Sequence, residues 1–307
     1  MAFTLLINQM IQFFILMSLG YFLYKKNFTD KEFNRRLSRI LLNVTLPALI
    51  LNSVLTQTTR PAASTVIYVF IIAGIMYLLL PLAGLAVSRF FPVDKKQKNI
   101  YSFMTAYGNT GFMGFPIIAS LYGNTAVLYT AIFNIMFNLS CYTLGTMIMT
   151  GSSESGAEMN IRHLLNPGFI FSLLSIVIYF INPAMPGVIT DTAGTIGNIT
   201  TPLAMLLIGS TLATNNVKEI FSNGFIYLFA ALRQIILPLI SLAVIHLFIK
   251  NELVMNVTFI MMLMPVANSA VMFANEYGAD EKLASKTVFI TTLLSIVTIP
   301  LGVSLFL

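Results

Sequence analysis

Ten stretches of about 20 mostly apolar residues follow one another along this 307-residue chain, at roughly 4–24, 37–56, 65–88, 99–122, 126–149, 165–182, 195–213, 223–249, 253–276 and 284–306. A helix crossing the hydrocarbon of a bilayer needs about that length. Because the runs are continuous, helices are expected rather than a barrel, whose strands alternate in hydropathy over about ten residues. Charged residues make up only 9% of the chain, against about 25% in soluble domains, too few to cover a water-facing surface. The fold class that follows is an all-α polytopic membrane protein. The first helix is not expected to be a cleaved leader, since no basic residue precedes Lys25. Cys141 stands alone, so no disulfide framework and no cysteine-based metal site is expected.

The net charge of +6 reads as topology, not as nucleic-acid affinity. Lys and Arg accumulate in cytoplasmic loops. Fourteen basic residues fall in the odd-numbered loops: Lys25, Lys26, Lys31, Arg35, Arg36 and Arg39; Arg89, Lys95, Lys96 and Lys98; Arg162; Lys218; Lys282 and Lys286. Only Arg60 and Lys250 fall in the even-numbered loops. The asymmetry predicts a plasma-membrane protein of ten spans with both termini outside.

The chain matches itself at an offset of 155 residues. Asn43-Val44-Thr45-Leu46-Pro47 falls on Asn198-Ile199-Thr200-Thr201-Pro202, both reading N-x-T-x-P, and Ala119–Gly123 falls on Ala274–Gly278, both A-x-x-Y-G. Two polar motifs at one offset imply a repeat of five spans, 1–150 and 151–307. An odd number of spans inverts the second copy, the plan of many secondary transporters. Asn43, Pro47, Asn198 and Pro202 are read as helix-packing positions within this repeat.

Span four carries Gly108-Asn109-Thr110-Gly111-Phe112-Met113-Gly114-Phe115-Pro116, and span nine carries Met264-Pro265-Val266-Ala267-Asn268-Ser269. Gly and Pro interrupt helices, and the freed backbone groups are tolerated at membrane depth only inside protein or along a cavity. Interruptions in corresponding spans are the best sequence pointer to a transporter site. Broken ends expose N–H groups and the positive end of a helix dipole, which favour an anion such as a carboxylate. Asn109, Thr110, Gly111, Gly114, Pro116, Pro265, Asn268 and Ser269 are the candidate substrate-binding residues. The bland alternative is that both interruptions are packing kinks.

Arg233 lies mid-span and must face the protein interior. It either attracts an anionic substrate or pairs with helix-end carbonyls. Glu276 is a candidate ion-coupling group, with a solvated helix-end carboxylate as the alternative. There is no Walker A sequence, no H-E-x-x-H and no His/Cys cluster, so no enzyme, metal or cofactor is expected beyond a coupling H+ or Na+. A symporter of another small solute, and a channel or sensor, remain as alternatives.

At spans four and nine the chain resembles the auxin efflux carrier family in its short bacterial branch. The second likeness runs from Pro265 through Asn268 and Ser269 to Glu276-Tyr277-Gly278, and it continues at Ser285–Phe289 and Ile299-Pro300. The resemblance implies a fold like that of the bile-acid sodium symporters. Spans 1–2 and 6–7 would form a scaffold, and spans 3–5 and 8–10 a transport domain moving elevator-fashion. Spans four and nine would cross at Pro116 and Pro265, with Asn109 as the crossing-point asparagine. It further implies a small organic anion (a mono- or dicarboxylate) as partner, and a homodimer. The middle loop, about residues 150–164, is short beside the large cytoplasmic loop of the plant members.

Overall fold

A computed structural model describes residues 2–56, 60–150, 166–214 and 224–306. Arg162, Lys218, the middle loop and the junction between the two expected repeats lie outside the described residues. All regular structure among the described residues is helical. The helices are α1 (Ala2–Lys25), α2 (Lys31–Leu55), α3 (Ala63–Ser88), α4 (Lys95–Ala106), α5 (Thr110–Thr150), α6 (Pro167–Ile181), α7 (Gly187–Asn198), α8 (Thr200–Ala213), α9 (Gly224–Phe248), α10 (Glu252–Leu263), α11 (Ser269–Glu276) and α12 (Glu281–Phe306). Among the described residues six apolar lengths are long enough to cross a membrane: α2, α3, α5, α9, α12 and the run Gly187–Ala213 formed by α7 and α8. Ile11–Lys25, α6 and α10 are shorter apolar helices.

Outward-facing side chains explain where this protein can reside. Along α3, Ile67, Ile71, Ile75, Leu78, Leu82 and Leu85 are all exposed, a stripe at helical spacing that water would penalise and lipid tails accept. The opposite face, Val66, Val69, Ala73, Tyr77 and Leu80, is buried. Such a chain is an integral membrane protein.

Prolines shape the long helices. Three π-helical turns, Leu41–Thr45, Thr110–Gly114 and Leu232–Ile236, each end two residues before a proline: Pro47, Pro116 and Pro238. A proline lacks the N–H that would close the regular ladder, and one wide turn ahead of it re-pairs the backbone, as where Phe115 N–H donates to the Thr110 carbonyl. α2 begins at Lys31, six residues before the predicted span. Asp30 caps it by accepting from Phe33 N–H at 2.6 Å.

Close helix contacts use glycine where backbones touch. α1 packs along α8, and a Cβ on Gly209 would fall 1.8 Å from the Met17 carbonyl oxygen, one on Gly20 2.1 Å from that of Leu206. Small residues allow such approach between membrane helices. α2 meets α7 in the same way, with Gly197 against the Leu49 backbone. Of the expected packing positions, Pro47 is buried, but Asn43 and Asn198 are exposed. The close contact near them is made by Gly197 against the Ala48 and Leu49 backbone.

Both A-x-x-Y-G motifs end a helix arm in the same way. Gly123 (φ +70°) divides α5 into two arms, and Gly278 (φ +62°) follows α11. These are the two positive-φ glycines among the described residues, a conformation that disfavours any Cβ.

Candidate functional site

The two interruptions meet. α4 stops at Ala106 and α5 starts at Thr110, while α10 stops at Leu263 and α11 starts at Ser269. Between them the backbones run antiparallel, with Gly108 opposite Val266. Asn109 N–H donates to the Pro265 carbonyl at 2.7 Å, and Ala267 N–H to the Tyr107 carbonyl at 3.1 Å. Val266 N–H is taken by the Thr291 hydroxyl of α12 at 3.2 Å. The sequence explains each stop. Pro265 drives Met264 into an extended conformation (φ −61°, ψ 136°) and so ends α10. Asn109 caps α5, its Oδ1 accepting from Phe112 N–H at 3.2 Å.

The crossing therefore joins two helix N-termini, of α5 and α11, to two helix C-termini, of α4 and α10. Pro265 belongs to the crossing itself. Pro116 does not: it is buried beyond the π-turn of α5, so the second contact point is Gly108-Asn109 and not the proline expected from the resemblance.

A cavity of about 500 Å³ opens beside the crossing. Asn109 and Asn268 both line it. Asn268 stands at the N-cap of α11 but makes no capping bond with its side chain. The opposite wall comes from α2 and α8 through Asn34, Ser38, Leu207 and Thr211, and α12 closes the side with Ser285, Phe289 and Thr292. Arg35 and Glu281 also line the cavity, and Glu281 accepts from the Asn275 side chain at 2.8 Å.

Thr110, Gly111, Gly114, Pro116, Pro265 and Ser269 do not line this cavity. Thr110 is buried, and a Cβ on Gly114 would press on Met261 Cε at 2.9 Å. Ser269 Oγ is buried beside Cys141. Glu276 is exposed at the end of α11 and is not part of the cavity wall. Arg233 is fully buried behind the crossing, donating from Nη1 to the Met262 carbonyl at 2.7 Å.

Sequence reasoning passed over Asn34. It lies within a basic segment that reads as a loop, yet it is buried and accepts from the Ser210 hydroxyl at 2.7 Å. The available signal was the spacing of Asn34 and Ser38, which puts both on one face of a helix.

Helices with lipid-compatible faces, the only regular structure among the described residues, and a cavity bearing two asparagines at paired helix breaks have the form of a membrane transporter. A profile of the membrane transport protein family matches residues 5–303, and the chain belongs to that family, the one to which the auxin efflux carrier likeness points. It is 26% identical over 291 residues to an uncharacterized transporter of Methanothermobacter thermautotrophicus, covering 94% of both chains. It is 21% identical over 316 residues to the uncharacterized transporter YfdV of Escherichia coli (strain K12), covering 98% of this chain and 97% of the other. A Rhizobium meliloti protein named "Putative malonate transporter" is 23% identical over 211 residues, 66% of this chain and 65% of that one.

Proposed function

We propose that this protein is a secondary transporter that carries a small organic anion, a carboxylate, by alternating access. One observation carries the reading: a single cavity is lined by two asparagines, Asn109 and Asn268, that stand at the N-termini of two half-helices meeting at a backbone crossing. Each N-terminus presents about half a positive charge, and an amide beside it supplies directed donors that a carboxylate accepts. The malonate named for the Rhizobium meliloti relative is a carboxylate of the size such a cavity holds.

The ten-span inverted repeat fits the same reading. The two positive-φ glycines occupy matching places in the A-x-x-Y-G motifs, and the paired interruptions occupy matching spans. In that frame the cavity lies between the scaffold (α2 and α8) and the transport domain (the crossing, α11 and α12). Its mouth, at Arg35 and Glu281, faces the side of the basic loops. The state described is then open to the cytoplasm, and the outward state requires the crossing to move past the scaffold. A homodimer and a coupling ion belong to this proposal as expectations from the family.

The experiment is a thermal-shift screen of purified protein against malonate, succinate, lactate and acetate at varied sodium and pH. Binding to the folded state raises its apparent stability by mass action. Asn109→Ala and Asn268→Ala are each expected to weaken the carboxylate that binds by about 5- to 150-fold, the loss of a buried hydrogen bond of about 1–3 kcal/mol. Unchanged affinity in both variants would remove the crossing as the site.

A further inference from the structure

We infer that Arg233 sets the charge preference of the crossing without touching the solute: it is a positioning residue whose positive charge neutralises the carbonyl ends of the two broken helices. The inference rests on the carboxylate reading above.

Arg233 is the largest of the fully buried side chains, and it sits in the π-turn of α9. That turn also aims its neighbour Gln234 at α12, where Gln234 Nε2 donates to the Thr291 carbonyl at 3.0 Å. Thr291 in turn holds Val266 of the crossing through its hydroxyl. Arg233 Nη1 donates to the Met262 carbonyl, in the last turn of α10. Its Nη2 lies against Gly108, just past the end of α4, so close that a Cβ there would fall 2.8 Å away. Tyr77 of α3 lies near it. Among the described residues Nε has no partner and the guanidinium has no carboxylate. Arg233 does not line the cavity.

Arginine stays protonated in proteins, and an uncompensated charge in a low-dielectric interior is strongly unfavourable. The compensation here is the peptide backbone. Each helix C-terminus carries about −0.5 charge and each N-terminus about +0.5. The crossing brings two of each together, so without a side-chain charge the four ends would cancel and leave little preference for an anion. Arg233 is placed at the two C-termini, α4 and α10, where its single positive charge offsets both. The N-termini of α5 and α11 are then left unopposed beside Asn109 and Asn268. The guanidinium is separated from the cavity by Gly108 and the crossing strand, so its effect on a solute is electrostatic.

The test compares malonate with its uncharged diamide, malonamide, on the wild type, Arg233→Gln and Arg233→Lys by titration of the purified, folded proteins. Arg233→Gln is expected to lose about 10- to 30-fold in malonate affinity, the effect of a unit charge one layer away at an effective dielectric near 20, and to leave malonamide binding within about twofold. Arg233→Lys retains the charge and is expected to keep the preference for malonate over malonamide. An equal loss for both ligands in folded Arg233→Gln means that the guanidinium only braces the helix ends, and overturns the inference while leaving the carboxylate site intact. Should Arg233→Gln fail to fold, Arg233→Met, which also removes the charge at similar length, decides by the same ratio. Unchanged malonate affinity in Arg233→Gln also overturns it. A wild type that binds no carboxylate removes the reading beneath it, a different result from any of these.

Discussion

At Gly108 the crossing strand has no room for a side chain, because Met264 and the guanidinium of Arg233 already fill the space. Such positions are where single residues decide structure. Gly123 and Gly278 are different: open space surrounds each, but both hold positive φ, so the penalty for a side chain is backbone strain. Gly123→Ala and Gly278→Ala are each expected to lower stability by about 1–2 kcal/mol. Gly111→Ala, in open space with an ordinary backbone, is expected to change it by less than about 0.5 kcal/mol. Thermal unfolding in detergent checks the contrast, and equal losses at all three sites would remove the strain argument. Asn109 and Asn268 stand out in the sequence because each is an amide inside an interrupted apolar run, and both line the cavity, Asn109 also capping α5. Asn34 was not, because its neighbours are basic and its burial depends on Ser210, 176 residues away.

Among the elements, the long apolar helices and their ends follow from the chain itself. Continuous hydropathy places them, Pro265 stops α10, and Asn109 restarts α5. The π-turns were not legible, since a proline in an apolar run announces a kink without saying how the backbone re-pairs. The burial of Pro116 and the exposure of Asn43 and Asn198 likewise depend on which face a neighbouring helix covers. The packing of α1 on α8 tests the account at this scale. Gly209 and Gly20 sit against the facing backbone, so Gly209→Val must force the helices apart. It is expected to destabilise the protein by about 3 kcal/mol, at the upper end of what overpacking causes, and to lower the yield of folded protein. A Gly209→Val protein that melts within a degree of the wild type would contradict this contact.

For the whole molecule, topology and transport are linked through the side on which the cavity opens. The distribution of basic residues, 14 in odd loops against two in even loops, predicts that both termini lie outside and that the mouth near Arg35 and Glu281 faces the cytoplasm. A C-terminal alkaline-phosphatase fusion is expected to be active and a C-terminal fluorescent fusion dark. The reverse pattern would invert the orientation and make the cavity outward-facing. The paired breaks could be read from the chain, whereas the cavity could not, because its far wall is assembled from α2 and α8, remote in sequence from the crossing. The central claim is that the crossing holds a carboxylate, and the most direct measurement is a structure of the protein determined with the carboxylate that stabilises it. The account predicts density for the carboxylate group within hydrogen-bond distance of the Asn109 and Asn268 amides, about 2.7–3.2 Å. Density elsewhere with the crossing empty, for instance in the groove between Asn43, Pro47 and Thr192, would contradict it.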